Sequence, residues 1–335
     1  MKESVAAGVL LTILLFVMSW LHAAQKMLPE EAENGVSPTQ TQAEAAADRP
    51  DSEICLRVKI GNTVQSMTMA EYLPGVVRGE MPPKFEPEAL KAQAAAERTY
   101  ICYQMKAGTK SAHPDADVCD DAGCCSAYLS EADARKKWGD AFDEYEAKVQ
   151  AAEADTDGVV MLYAGDPIMA VFHSSSAGKT AACEDVWSAE LPYLVSVDSP
   201  ETASTVPNYY SVKTVSRDEF KRIFTAAHPE ADFSGTWISG RTENASGRVE
   251  SLNVGGVTVS GAEMRTLYGL RSACFTVEVG ENDVTFRVIG YGHGVGMSQY
   301  GAEELAKQGK TWQEILQWYY TDITFGGYQK AGIAR

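Results

Sequence analysis

The stretch "GVVRGEMPPKFEPEALKAQAAAERTY" (residues 75–100) holds Glu80 between Gly79 and Met81-Pro82-Pro83. Two prolines stiffen the chain and the glycine lets it turn, so the carboxylate is expected on a rigid loop just ahead of a helix. Val76, Val77, Met81 and Phe85 are its apolar neighbours in sequence. A carboxyl desolvated by such neighbours has a raised pKa, which suits a general acid at neutral pH. Read without that chemistry, Glu80 is a structural glutamate at the start of a helix, or one paired with Arg78 or Lys84.

A second group of polar residues follows an apolar run. His173, Ser174, Ser175 and Ser176 in "HSSSAGKT" offer small hydrogen-bonding groups suited to sugar hydroxyls, or merely end a strand. The segment ends like a phosphate-binding loop, but that motif needs a glycine at position 173, where His stands. "GYGHGVG" (290–296) fails the dinucleotide pattern in both frames, because Val295 or Met297 falls at the third glycine. ATP and dinucleotide chemistry are excluded on spacing. A serine hydrolase on Ser175 and His173 lacks both the nucleophile-elbow pattern and a visible orienting acid.

The cysteines give a third group. His113, Cys119, Cys124 and Cys125 fall within "HPDADVCDDAGCC", a Cys₃His ligand set for tetrahedral zinc. The separations are looser than common zinc spacings, and a Cys119–Cys124 disulfide is the competing reading for a protein outside the cytoplasm. Cys55, Cys102, Cys183 and Cys274 have no recognisable partners and read as buried apolar residues or disulfides.

The elements that position these groups follow from pattern. Pro87 presets a helix start, and Ala92, Ala95, Ala96 and Thr99 form a stripe of small residues that lets another element approach closely. Helices are expected at 87–104, 131–152, 216–227, 298–308 and 311–320. "ICLRVKI" (54–60) and "TVQSMTM" (63–69) flank Gly61 and read as a hairpin. Further strands are expected at 158–164, 167–172, 208–214, 249–255, 274–279 and 284–289. Strands and helices do not alternate, so the class is α+β: a mixed-sheet domain with a central alanine-rich helix and a cleft.

Residues Val5 to Ala24 carry no charge over about twenty positions, enough to cross roughly 30 Å of hydrocarbon as a transmembrane helix. A cleaved signal peptide is the alternative. The expected organisation is a membrane anchor at 1–24, a flexible acidic tether at 25–52, and a domain at 53–335 outside the cytoplasm. The 335 residues carry a net charge of −17 with no cluster of Lys and Arg, which argues against a nucleic-acid partner.

Three blocks carry a resemblance. "YLPGVVRGEMPPKFEPEALKAQAAAERTY", "FHSSSAGKTAACEDVWSAELPYLVSVDSP" (172–200) and "GYGHGVGMSQYGAEELAKQGKTWQEILQWYY" (290–320) resemble the SpoIID/LytB family in the same order. The resemblance implies a lytic transglycosylase that cuts peptidoglycan glycan strands, with Glu80 as its acid/base. It implies that His173 to Ser176 and the block from His293 to Gln299 line the cleft, so His173, Ser174, Ser175, Ser176, His293 and Gln299 are substrate-contact candidates. Some members hold zinc through His and Cys in this region, which implies a structural zinc on His113, Cys119, Cys124 and Cys125. The family context implies septal wall thinning and engulfment during sporulation, alongside an amidase and another membrane protein. The LytB side implies a different role: a peptidoglycan-binding module that activates a partner amidase.

Overall fold

The computed structural model describes residues 48–187 and 189–334. The expected anchor, and all but the end of the expected tether, lie outside them. Among the described residues no helix is long and apolar enough to cross a membrane. The fold begins before residue 53, because Asp51 in the turn Asp51–Glu53 is buried.

Cys55–Ile60 (β1) and Thr63–Thr68 (β2) form the expected hairpin. Thr68 then caps a helix that sequence pattern did not suggest, Met69–Glu80 (α1). The Thr68 hydroxyl accepts the Glu71 N–H, and the Glu71 carboxylate accepts the Thr68 N–H, a reciprocal cap that outweighs the amide lost at Pro74. Glu80 is therefore the last residue of a helix and not part of a loop; the prolines only end the helix behind it.

Pro87–Ala107 (α2) begins at the proline, as its fixed φ dictates. It is buried on every side, not along one stripe: Ala92, Gln93, Ala94, Ala95, Ala96, Glu97, Arg98 and Thr99 are all inaccessible. Val118–Cys119 (β3) joins β1 in parallel. The helix expected at 131–152 is two, Glu131–Trp138 (α3) and Phe142–Ala154 (α4), because the chain turns at Gly139 with φ +54°. Val160–Tyr163 (β4), Asp166–Pro167 (β5), Phe172–His173 (β6) and the short helix Glu184–Trp187 (α5) follow.

Next come Tyr210–Ser216 (β7), Arg217–Ala227 (α6), Ile238–Glu243 (β8), Val249–Val254 (β9), Val257–Val259 (β10), Gly261–Tyr268 (α7), Phe275–Val279 (β11) and Asp283–Ile289 (β12). The chain closes with Met297–Ser298 (β13), Gln299–Lys307 (α8), Trp312–Tyr319 (α9) and Thr324–Gly326 (β14). The α+β class stands, but there is no single mixed sheet: the described strands form small sheets of two or three, ordered β2-β1-β3, β10-β9-β8, β11-β12-β7, β13-β6 and β14-β4-β5.

Two apolar cores result. One surrounds α2 and draws on α1, α4, β4, α8 and α9. The other lies wholly within 220–288, where Phe220, Phe224, Leu252, Met264, Tyr268 and Phe286 pack together. The second is an insertion in the first, and its ends meet: Gly290 N–H donates to the Tyr209 carbonyl at 2.9 Å.

The first core is pinned by a buried charge. Arg98 is inaccessible to solvent, and its Nε and Nη2 reach both oxygens of Asp51 at 2.7–2.9 Å. Nη1 reaches Thr156 Oγ1 at 3.2 Å. Asp51 also accepts the Gly158 N–H at 3.0 Å and the Tyr328 hydroxyl. Burial alone would raise the Asp51 carboxyl, but the charge and hydrogen bonds of Arg98 hold it below its ordinary value. Asp51, Glu153 and Asp157 bring their oxygens together, and Arg98 supplies the countercharge beside them. Asp51→Asn leaves a dehydrated guanidinium without its acid, and is expected to cost about 3–5 kcal/mol in chemical denaturation. Lys136→Ala, which removes an exposed pair with Asp133, should leave the midpoint unchanged.

Candidate active site

Glu80 owes its setting to two glycines one helical turn apart. A Cβ at Gly79 would lie 2.5 Å from the Ala127 carbonyl oxygen, and one at Gly75 would lie 2.1 Å from the Tyr128 ring. Their absence lets the chain after the cysteine cluster lie directly on α1. Leu129 N–H donates to the Gly75 carbonyl at 2.9 Å, and Ala127 N–H donates to Glu80 Oε1 at 2.5 Å. Across the cleft, Gln299 Nε2 donates to the Glu80 main-chain carbonyl at 3.0 Å, so α8 is joined to the last residue of α1.

The cleft itself is about 500 Å³. Glu80, Tyr100, Ser126, Trp187 and Tyr291 share its lining with His173, Ser174, His293 and Gln299. Glu80 is half-buried, and burial raises its carboxyl above the ordinary value despite the opposing Ala127 hydrogen bond. A second carboxylate stands behind it. Glu97 on α2 is fully buried, accepts Ser126 Oγ at 2.9 Å and is reached by Gln93 Nε2 at 3.1 Å. Burial first, then the charge of Glu80, pushes Glu97 well above the usual carboxylate range. Two carboxyls so placed cannot both ionise, so Glu97 keeps its proton when Glu80 gives up its own.

The opposite wall is built from glycines. Gly290, Gly292, Gly294 and Gly296 all have positive φ, and a Cβ at Gly292 or Gly296 would strike His173 or the Val171 carbonyl. The strip can therefore run against the 171–176 segment, with Met297 and Ser298 paired to Phe172 and His173. The candidate serines divide. Ser174 lines the cleft, whereas Ser175 and Ser176 are buried behind it. Ser175 exchanges backbone hydrogen bonds with Tyr291, and Ser176 Oγ donates to His173 Nε2 at 2.7 Å. Glu201, buried beyond them, accepts Ser176 N–H, Ser199 Oγ and Ser298 Oγ at 2.5–2.6 Å and braces the wall.

His173 and His293 are neutral rings. Burial, then the neighbouring His293, drives His173 well below 6.5, and burial, then Arg265, pushes His293 down to about 4. The His293 ring is clasped between Trp187 at 4.8 Å and His173 at 5.7 Å. The Ser175–His173 pairing is not formed: Ser175 is buried, and the His173 ring pairs with the equally buried Ser176.

The cysteine cluster forms the floor beside Glu80. Donor atoms of His113, Cys119, Cys124 and Cys125 all lie within 4.8 Å of one another. All seven cysteines are free thiols, so neither Cys119 nor Cys124 is in a disulfide. His113 Nδ1 is taken by the Ala116 carbonyl at 2.9 Å, which leaves Nε2 facing Cys125 Sγ at 3.3 Å. Three thiols and an imidazole fixed through its other nitrogen are a donor set for one tetrahedral ion. The loop they anchor supplies Ser126 and Ala127, which hold Glu97 and Glu80 respectively.

Sequence reasoning did not find Glu97, Trp187, Tyr291 or Glu201. Only Glu97 left a signal, a lone acid beside Arg98 within an alanine run. The folded carboxyl of Glu97 lies above its ordinary 4.5, so the folded chain holds a proton that the unfolded chain releases above that pH. Stability is then complete below about pH 4.5 and is lost as the pH rises toward the folded value. Glu97→Gln should therefore melt higher than the wild type at pH 8, with the difference vanishing near pH 4.5; parallel melting curves across that range would contradict the buried proton.

Comparison with known proteins gives the family. The family model described as "SpoIID: Stage II sporulation protein" matches residues 59–163, which hold Glu80, Glu97 and the cysteine cluster. Stage II sporulation protein D of Bacillus subtilis (strain 168) is 34% identical over 94% of this chain and 91% of its own length. The Bacillus amyloliquefaciens protein of the same name is 37% identical over 78% of this chain and 75% of its own. A protein named amidase enhancer, also from B. subtilis, is 28% identical over 76% of this chain but only 40% of its own length. Identity at this level over nearly the whole chain, with the cleft acid and the thiol cluster inside the matched segment, means that the chain belongs to the SpoIID family of sporulation proteins.

Proposed function

We propose that this protein is a lytic transglycosylase that cuts peptidoglycan glycan strands between N-acetylmuramic acid and N-acetylglucosamine. The observation that supports it best is one half-buried carboxyl, raised by desolvation, at a cleft walled by neutral hydrogen-bonding groups and aromatic rings. Hydrolytic glycosidases divide the work between two carboxylates flanking the bond. Here the second acid, Glu97, is sealed from the cleft and cannot reach a substrate. A transglycosylase needs only one group. Glu80 protonates the glycosidic oxygen as the bond to C1 breaks, and positive charge spreads over C1 and the ring oxygen. The sugar's own 6-hydroxyl then attacks C1, and Glu80, now a base, takes its proton and is regenerated. No water is consumed, and the product ends in a 1,6-anhydro ring.

Glu80→Gln keeps the Ala127 hydrogen bond but removes the mobile proton, so glycan cleavage should fall by about 10²–10⁴-fold or more while the fold persists. Glu88→Gln, on the first turn of α2, should leave cleavage near the wild-type rate. Mass spectrometry of wild-type products should show anhydro ends. Ordinary reducing ends, or wild-type rates from Glu80→Gln, would refute the assignment.

A second reading comes from the relative named amidase enhancer: a non-catalytic peptidoglycan-binding module that activates an amidase. It requires that the protein alone leave denuded glycan intact and raise the rate of an added amidase. In either reading the site of action is the cell wall, with 1–24 as a single membrane anchor, the folded domain outside the cytoplasm, and an amidase and a further membrane protein as partners in septal thinning and engulfment.

The thiol cluster fits zinc, with His113, Cys119, Cys124 and Cys125 as its four ligands. Four protein ligands leave no open position, so the ion's part is to hold the loop that carries Ser126 and Ala127. One zinc per chain is expected by elemental analysis, and Cys119→Ser should lose both the metal and thermal stability. Protein purified without chelator that contains no zinc would remove this part of the reading.

A further inference from the structure

Three surface lysines of this acidic chain, Lys106, Lys136 and Lys179, pair with exposed aspartates. Lys110 does not. It lies just past Gly108, where φ is +92° and α2 has ended, and it forms no ion pair with a carboxylate among the described residues.

Its ammonium is aimed at the thiol centre. Lys110 Nζ donates to the Cys124 carbonyl, to Cys125 Sγ at 3.5 Å and to the Tyr100 hydroxyl at 3.2 Å. An ammonium has three protons, and here each has a partner. The nitrogen also stands 5.6 Å from the centre of the Tyr100 ring. Lys110 is half-buried, and Tyr100, Cys124 and Cys125 line the same cleft as Glu80, so this contact backs the wall of the candidate active site. Among the described residues no other Lys or Arg hydrogen-bonds to a sulfur of the cluster.

A neutral thiol is a weak hydrogen-bond partner and gives a charge little to bind. A thiolate gives it much more. Three thiolates around a divalent ion leave one net negative charge, to which a neutral imidazole adds nothing. Groups that hydrogen-bond to a metal ligand from outside fix its direction and tune affinity for the ion. His113 has such a partner in the Ala116 carbonyl, and Lys110 stands in that relation to Cys125.

We propose that Lys110 is the counter-charge of the thiol centre: its ammonium balances the negative charge that a zinc-loaded Cys₃His set retains, and ties that centre to Tyr100 in the cleft. The inference rests on the zinc reading above and deepens it. A plain clamp on the loop, through the Cys124 carbonyl alone, would need a donor but no charge.

The test titrates zinc alone into metal-free full-length protein against a chromogenic chelator, so that no cleavage activity is read. Lys110→Met should weaken zinc binding by roughly 10–100-fold. Lys110→Gln is uncharged but can still donate to the Cys124 carbonyl, and it should lose affinity in the same range. Lys110→Arg, which keeps the charge, should stay close to the wild type, and Tyr100→Phe, which removes a hydroxyl but no charge, should leave zinc affinity unchanged. Melting curves with saturating zinc establish that each variant is folded, and the Gln and Arg variants carry the test if Lys110→Met is not. Wild-type affinity in Lys110→Gln, or a loss in Lys110→Arg as large as that in Lys110→Gln, overturns the counter-charge. A wild type that binds no zinc overturns it together with the metal reading, whereas equal zinc binding by the wild type and Lys110→Gln defeats this inference alone.

Discussion

A charge without water at the middle of α2 constrains the rest of the molecule. Arg98 can stay buried only if Asp51, Thr156 and the turn at Gly158 are all brought to it, and Tyr328 completes the ring of partners around Asp51. Those groups come from the start of the folded region, from the end of α4 and from the last described turns. Such a pair adds little to net stability against an apolar replacement, since desolvation nearly cancels its Coulomb gain. Its effect is on specificity: arrangements that leave any partner out strand a buried ion. Register among distant segments is thereby tied to one position on one helix.

Around that fixed helix, small residues decide how close the functional segments come. The alanines of α2 let four helices and two strands, β4 and β5, pack against it, and Gly75 and Gly79 bring the cysteine loop onto α1. The result places two carboxyls from different helices under consecutive residues of one loop. Ser126 serves the sealed acid and Ala127 the accessible one. The sealed acid yields to the charge of Glu80 and keeps its own proton, while Glu80 is raised by its own burial. The cysteine cluster, only one residue upstream, fixes where those two hydrogen bonds fall.

Much of this was legible in residue order. Pro87 marked the start of α2, the Gly61 hairpin stood where expected, and the Glu80, His173–Ser174, His293 and Gln299 segments converge on one cleft. The reading that Glu80 sits on a loop failed because Thr68 and Glu71, a reciprocal cap legible three residues apart, start a helix that runs through Pro74 to Glu80. Glu97 and Arg98 were missed for a different reason. A charged residue in a helix normally faces water, and no single-helix pattern reveals that a helix will be enclosed on all sides. Ser175 and Ser176 lie beside Ser174 in sequence, but Ser175 is paired to Tyr291 through its main chain and Ser176 is held by His173 and Glu201, which leaves Ser174 at the cleft. Strands β10 and β14 span three residues each and β8 is exposed along nearly its whole length, so only their partners define them.

Residues 210–289 leave the first core and return to it at two positions joined by the Tyr209–Gly290 hydrogen bond. Because the stem is already closed, lengthening, shortening or replacing what hangs from it adds almost no loop-closure entropy to the parent core. This excursion carries Arg248 and Arg265, whereas Glu80 and the thiol cluster belong to the parent. The half-buried acid and the thiol cluster thus lie on one stretch of chain and the residues behind His293 largely on another, so the second can change in length and sequence while the first stays as it is.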